Sequence, residues 1–210
     1  MTVKRTRERI SERRIRRIVL RVLAETKLCS IATVARGNRA HVNTAFFAYS
    51  PNLELYFLSD PGSLHCRNLL ANPSMAMTVF NSNQRWEDPG RGIQLFGSGR
   101  RTRGRQADVA EAVYGTRFPA FPRWMKGTTP KERRQAAQLR SYALFRFTPA
   151  RVKILDETEF GGAMFVVAAL RRHRPRDGQA RVGLEWEATE RLVPGGSDCW
   201  SPLKTDAAKS

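Results

Sequence analysis

Five apolar residues, Ile15, Ile18, Val19, Val22 and Leu23, recur at helical spacing between Arg9 and Glu25, and arginines 13, 14, 16, 17 and 21 fill most of the positions between them. One apolar stripe on an otherwise charged segment predicts an amphipathic helix that buries a single face. The period then changes. Leu28 to Val34, Ala40 to Ala48 and Leu53 to Ser59 are rich in β-favouring side chains and are separated by Arg36-Gly37-Asn38 and Ser50-Pro51-Asn52. Connections this short predict an antiparallel meander. Asp60-Pro61-Gly62 breaks the third strand, Ser63 is placed to cap a short helix over Leu64 to Ala71, and Asn72-Pro73 ends it. Ser74 to Phe80 and Gly92 to Arg100 complete five strands, joined by a polar loop with Pro89 and Gly90.

Helical signals return over about Gln106 to Tyr114, and Arg117 to Pro122 (RFPAFP) reads as irregular. Thr129-Pro130-Lys131-Glu132 combines a cap, a first-turn proline and a glutamate three residues after the cap, which predicts a helix to about Arg140. Tyr142 to Phe147 and Arg151 to Leu155 alternate like strands on either side of Pro149. Short strands, tight turns and helices at the rim predict a small barrel of the mainly β (α+β) class. After Leu170 the periodic signal fades, and Arg171 to Gly178 (RRHRPRDG) is basic and rich in breakers. The expectation is one folded unit over residues 1–170, with residues 171–210 a basic linker and weakly ordered tail dispensable for folding.

Composition narrows the classes. No apolar run could span a bilayer, and the basic N-terminus leads into no apolar signal core, so a cytoplasmic protein without a membrane partner is expected. Cys29, Cys66 and Cys199 form no paired motif, and His41, His65 and His173 are dispersed, which argues against a disulfide framework or a metal site. Net charge is +18, with a pI near 11.2. A nucleic-acid partner would use such charge, through the Arg9 to Arg21 helix and the arginines from 100 to 105. No base-reading motif accompanies them, and solvated basic faces are the preferred account of the charge.

Leu55-Tyr56-Phe57-Leu58-Ser59, followed after a turn by Ser63-Leu64-His65-Cys66-Arg67-Asn68-Leu69 and Asn72-Pro73, resembles the signature of the pyridoxamine 5'-phosphate oxidase-like split barrels. His41 to Phe47 (HVNTAFF) is similar to that family's second strand, and Arg91 to Gly97 (RGIQLFG) to its strand ending in glycine; Tyr114 to Pro119 and Val152 to Asp156 extend the likeness over roughly residues 10–165. The resemblance implies an FMN-binding split β-barrel with an N-terminal helix and peripheral helices, and a homodimer with FMN in a groove between protomers. Carried onto this chain, it implies cofactor contacts from Asn43, Thr44 and Ala45 on the second strand, Ser59 and Asp60 at the end of the third, Ser63, His65 and Arg67 at the phosphate, and Gln94 at the flavin ring. His65 stands where much of the family has lysine. The oxidase's own arginine-leucine-histidine run is echoed only by Glu190-Arg191-Leu192, without the histidine, so the vitamin B6 reaction is not carried over.

The function expected is an FMN-dependent oxidoreductase acting on a small molecule, with FMN supplying the redox chemistry. No residue stands out as a catalytic acid or base. The alternative is a non-enzymatic split barrel holding FMN or haem, with a deazaflavin as a further cofactor option. A nucleic-acid-binding regulator ranks last.

Overall fold

The computed structural model describes residues 2–6, 8–173 and 181–193. In chain order the elements are β1 (Thr2–Thr6), α1 (Glu12–Glu25), β2 (Leu28–Ala35), β3 (Arg39–Tyr49), β4 (Leu55–Ser59), α2 (Leu64–Ala71), β5 (Ser74–Phe80), β6 (Arg91–Arg101), α3 (Arg105–Arg117), α4 (Ala120–Lys126), α5 (Pro130–Ser141), β7 (Ala143–Asp156), α6 (Glu157–Phe160), β8 (Met164–His173) and β9 (Arg181–Val193). Every strand pairing is antiparallel. The sheet runs β1-β9-β8-β7-β4-β3-β2-β5-β6, and β6 pairs again with β7. Strands β2 to β7 therefore close a six-stranded ring, from which β8, β9 and β1 extend as a wing. The protein is a split β-barrel.

The long strand β7 makes this possible. Its first half pairs with β4 on one side and its second half with β8, while β6 follows its other edge throughout. The register with β6 shifts between Phe96 and Gly97, so that Gly97 lies opposite Pro149 and Ala150 bulges. Two strands expected around Pro149 are thus one, because a proline, which has no N–H to donate, is accommodated at a bulge.

Helix α1 starts at Glu12 rather than Arg9, because Ser11 takes the cap position and accepts from the Arg14 N–H. Its five apolar stripe residues are all buried and join the core made by the inner faces of the strands. The Arg117 guanidinium donates to carbonyls at the C-terminal end of the helix, those of Leu23 and Thr26. The polar face of α1 is partly neutralised: Arg14, Arg17 and Arg21 converge on Glu159, and Arg21 also pairs with the buried Asp156 at 2.5 Å.

Other departures from the sequence expectation have local causes. β4 begins at Leu55 because Leu53 adopts a left-handed φ of 54° to finish the turn from Ser50. Ala120 to Pro122, the end of the stretch read as irregular, open α4; Pro122 falls in its first turn, where no intrahelical donor is needed. The largest correction concerns the C-terminal region. Residues 181–193, expected as part of a weakly ordered tail, form β9 between β8 and β1, with Val182, Leu184, Ala188 and Thr189 buried. Residues 174–180 and 194–210 of that expected tail lie outside the described residues. Among the described residues no helix is long and apolar enough to cross a membrane.

Candidate functional site

Along β3 the side chains alternate. His41, Asn43 and Ala45 are half-buried, while Val42, Thr44 and Phe46 are exposed. The register with β2 sets the first three beside Thr33, Ile31 and Cys29, all buried, so they belong to the inner side of the sheet. Strand β4 delivers Ser59 to the same side, since Leu55 and Phe57 of equal parity are core residues. A tight turn then leads into α2. Asp60 holds this turn, its Oδ1 accepting from the Gly62 N–H at 2.8 Å and its carbonyl from the Ser63 N–H at 3.0 Å. Helix α2 is tied to β2 by Asn68, which donates to the Thr33 hydroxyl at 3.1 Å.

At the start of α2 the side chains converge. Ser63 has the extended backbone of a cap residue but makes no side-chain cap bond. Its hydroxyl faces His65 Nε2 at 3.2 Å, and Ser59 Oγ approaches the same nitrogen at 2.7 Å. The first N–H groups of the helix therefore keep no side-chain acceptor. The rings of His41 and His65 lie parallel, 6.2 Å between centroids, and Phe57 packs on the other flank of His65 at 6.4 Å. Burial, reinforced by His41, pushes His65 below the usual histidine range. Cys66, fully buried, is pushed up by burial, against the opposing hydrogen bonds of Ser63 and Ser59. Asn43, the next inward position of β3 after His41, has a buried Oδ1 with no hydrogen-bond partner. An orphan acceptor of this kind costs on the order of 1–3 kcal/mol, and a ligand donor would relieve it.

The structure brings Ser59, Ser63 and His65 into contact, with Asn43 on the adjoining strand. Asp60 and Arg67 frame the turn, the Arg67 guanidinium folding back on the Gly62 carbonyl. Ala45 is on the inner side, and its carbonyl accepts from the Cys29 thiol at 3.4 Å. Thr44 and Gln94 lie elsewhere. The pairings Thr44–Ser30, Ser30–Thr78 and Thr78–Gln94 place them on one outward row, three strand spacings or about 14 Å apart. Gln94 lines an outer groove of about 860 Å³ with Thr78, Phe80, Lys153, Leu155 and Phe165, beneath a loop carrying the almost fully exposed Trp86. Lys153 Nζ lies 2.9 Å from Glu190 and 4.5 Å from the centroid of the Phe165 ring.

Two residues at the inner cluster were missed by sequence reasoning. His41 shares the parity of Asn43, and period-two alternation alone would have placed it there. Arg101 follows Leu95, Gly97 and Gly99 on the inner parity of β6. A Cβ on Gly99 would stand 3.0 Å from Leu69 of α2, so this face of β6 abuts that helix. The charge of Arg101 acts on the Cys66 thiol, favouring its ionised form.

Comparison with known proteins covers most of the chain. The family described as pyridoxamine 5'-phosphate oxidase matches residues 17–156. No curated protein matches. Among solved structures, a protein of unknown function from Agrobacterium tumefaciens is similar with a TM-score of 0.53 and 18% identity over 67% of this chain and 55% of its own. A haem-binding protein from Mycobacterium smegmatis gives a TM-score of 0.58 and 14% identity over 77% of this chain and 59% of its own. A conserved hypothetical protein from Mycobacterium tuberculosis gives 0.54 and 16%, over 75% of this chain and 92% of its own. The chain thus spans little more than half the length of the first two.

Proposed function

The chain belongs to the pyridoxamine 5'-phosphate oxidase family, and on that premise we propose that it is an FMN-dependent oxidoreductase acting on a small molecule, working as a homodimer. The observation that carries this reading is the inner cluster: two hydroxyls and an imidazole around an uncapped helix N-terminus, beside an orphan acceptor on β3. These groups fit FMN. Free N–H groups at a helix start suit a phosphate, which Ser59, Ser63 and His65 would hold by further hydrogen bonds, with Arg67 at the rim. The Asn43 Oδ1 can accept from a ribityl hydroxyl or the ring N–H. Bound FMN would supply the redox chemistry, and the protein its orientation and electrostatic setting.

The homodimer is proposed from the outer face. Leu28, Val42, Phe46 and Phe96 are 45%, 63%, 54% and 42% exposed, and the register gathers them on one side of β3-β2-β5-β6. Contiguous apolar exposure of this kind marks an interaction surface. A second copy is the occupant we favour, because Thr44 and Gln94 face outward and would join an inner cluster only when a partner supplies it. The cytoplasm, where thiols such as the buried Cys29 and Cys66 stay reduced, is the proposed location.

The haem-binding neighbour from Mycobacterium smegmatis favours a second reading, a haem-binding barrel. The absorbance spectrum of the purified protein separates the two, since flavin and haem have distinct visible bands. FMN titrated into the protein should show quenched flavin fluorescence. His65→Ala should weaken binding by about threefold to tenfold, the loss of one ordinary hydrogen bond. A haem spectrum, or fluorescence that never changes on titration, overturns the flavin reading.

A further inference from the structure

We propose that Arg101, at the end of β6, is the residue through which the site selects a phosphate monoester, its guanidinium supplying the fixed positive charge beside the start of α2. This rests on the flavin reading above and names the group that would distinguish FMN from riboflavin.

A phosphate monoester carries between one and two negative charges at neutral pH and needs cations as well as N–H donors. Three side chains near α2 could provide a cation. His65 is poorly suited, because its ring is half-buried, its Nε2 is engaged by Ser59 and Ser63, and burial and His41 disfavour its charged form. The groups around it are His41 on β3, Ser59 on β4, Asp60 and Ser63 in the turn, Cys66 and Arg67 on α2, and Arg101 on β6. Arg67 is spent on the Gly62 carbonyl of its own turn.

Arg101 remains. It pairs in register with Phe145, and Phe145 with Phe57, the ring that flanks His65. The two phenylalanine rings stack at 5.4 Å, on the inner row that the register draws from Arg101 through Phe145 to Phe57. Arg101 is exposed, and among the described residues no carboxylate lies within ion-pair distance of it. Several other arginines are committed to carboxylates: Arg14, Arg17 and Arg21 to Glu159, Arg91 to Glu25 and Asp156, and Arg146 to Glu54. Arg101 adds a favourable charge at Cys66, inside the cluster, a smaller influence there than burial or the hydroxyls of Ser63 and Ser59. Guanidinium also matches phosphate geometry with two parallel donors, which a lysine cannot do.

The test compares dissociation constants for FMN and riboflavin, by flavin fluorescence, in the wild-type chain, Arg101→Ala, Arg101→Lys and Arg100→Ala. Arg100 is the control: it is also exposed, and its opposite parity turns it to the other face. Arg101→Ala should weaken FMN by about tenfold or more, the loss of a charge-assisted contact, and leave riboflavin unchanged. Unchanged riboflavin binding also shows that the variant is folded. Arg101→Lys should keep part of the FMN preference, and Arg100→Ala all of it. Wild-type FMN affinity should hold steady from about pH 7 to 8.5, above the second phosphate ionisation near 6, because the cation does not titrate there. The assignment is overturned by an unchanged FMN constant in Arg101→Ala, by equal losses for both flavins, or by an affinity that falls over that pH range as a histidine would require. Binding of neither flavin by the wild-type chain sinks the flavin reading, and this assignment with it.

Discussion

A Cβ built on Gly97 would stand 2.2 Å from the Thr148 carbonyl oxygen and 2.7 Å from Pro149 Cα, far inside contact distance. The obstacle is backbone, so no rotamer change can make room. Gly97→Ala must therefore displace the bulge where β6 meets Pro149, and it should lower stability by about 1–3 kcal/mol or more. Urea denaturation checks this; an unchanged midpoint would mean that the bulge yields freely. Sequence alone showed Gly97 only as the glycine that ends a strand, since its constraint comes from a partner about fifty residues later in the chain. Ser63 and His65 were legible for the opposite reason, because their surroundings are local: a broken strand, a turn and a helix start within a few residues. Arg101, proposed for the phosphate, was not legible in the sequence, because only the pairing of β6 with β7 and the packing of α2 on β6 bring its part of the strand near α2.

Among the elements, α2 and β5 have the boundaries read from the sequence, since Asp60-Pro61-Gly62, Ser63 and Asn72-Pro73 punctuate them. β9 was hidden for two physical reasons. Its apolar alternation, Val182, Leu184, Trp186 and Ala188, covers only its first part, and the register with β8 then shifts at Glu187, so that a polar residue, Thr189, takes the buried side opposite Val166. Its remaining positions carry charges that look like a solvated tail but pair across the sheet: Glu185 with Arg171, Glu187 with Arg151 and Glu190 with Lys153. Part of the excess basic charge of β7 and β8 is thus answered by β9. Truncation after Leu170 removes β9, opens the edge of β8 and deprives β1 of its partner. It should lower the thermal midpoint by several degrees, or abolish soluble expression, because the lost core contacts of Val182 and Leu184 are worth on the order of 1.5–3 kcal/mol each. An unchanged midpoint would show that the ring stands without its wing.

At the scale of the whole molecule, the outer apolar face gives the proposed dimer a definite location. Light scattering should give about twice the 23.8 kDa chain mass. Phe46→Asp with Phe96→Asp should give a monomer that keeps its secondary structure, since both side chains are exposed in the single chain. A wild-type monomer at micromolar concentration, or a dimer that tolerates both charges, would remove this surface from consideration. The double role of β7 carries a consequence for how the chain reaches this state. During synthesis β2 to β6 can pair as soon as they emerge, leaving β4 and β6 as the two open margins of a curved sheet. Neither can be satisfied until the three intervening helices have been made and β7 arrives to bridge both at once. Such distant contacts form late and slowly, and unpaired margins are templates for misassociation. The interval between the appearance of β6 and that of β7 is therefore when the nascent protein is most exposed to aggregation, and its length is set by α3, α4 and α5.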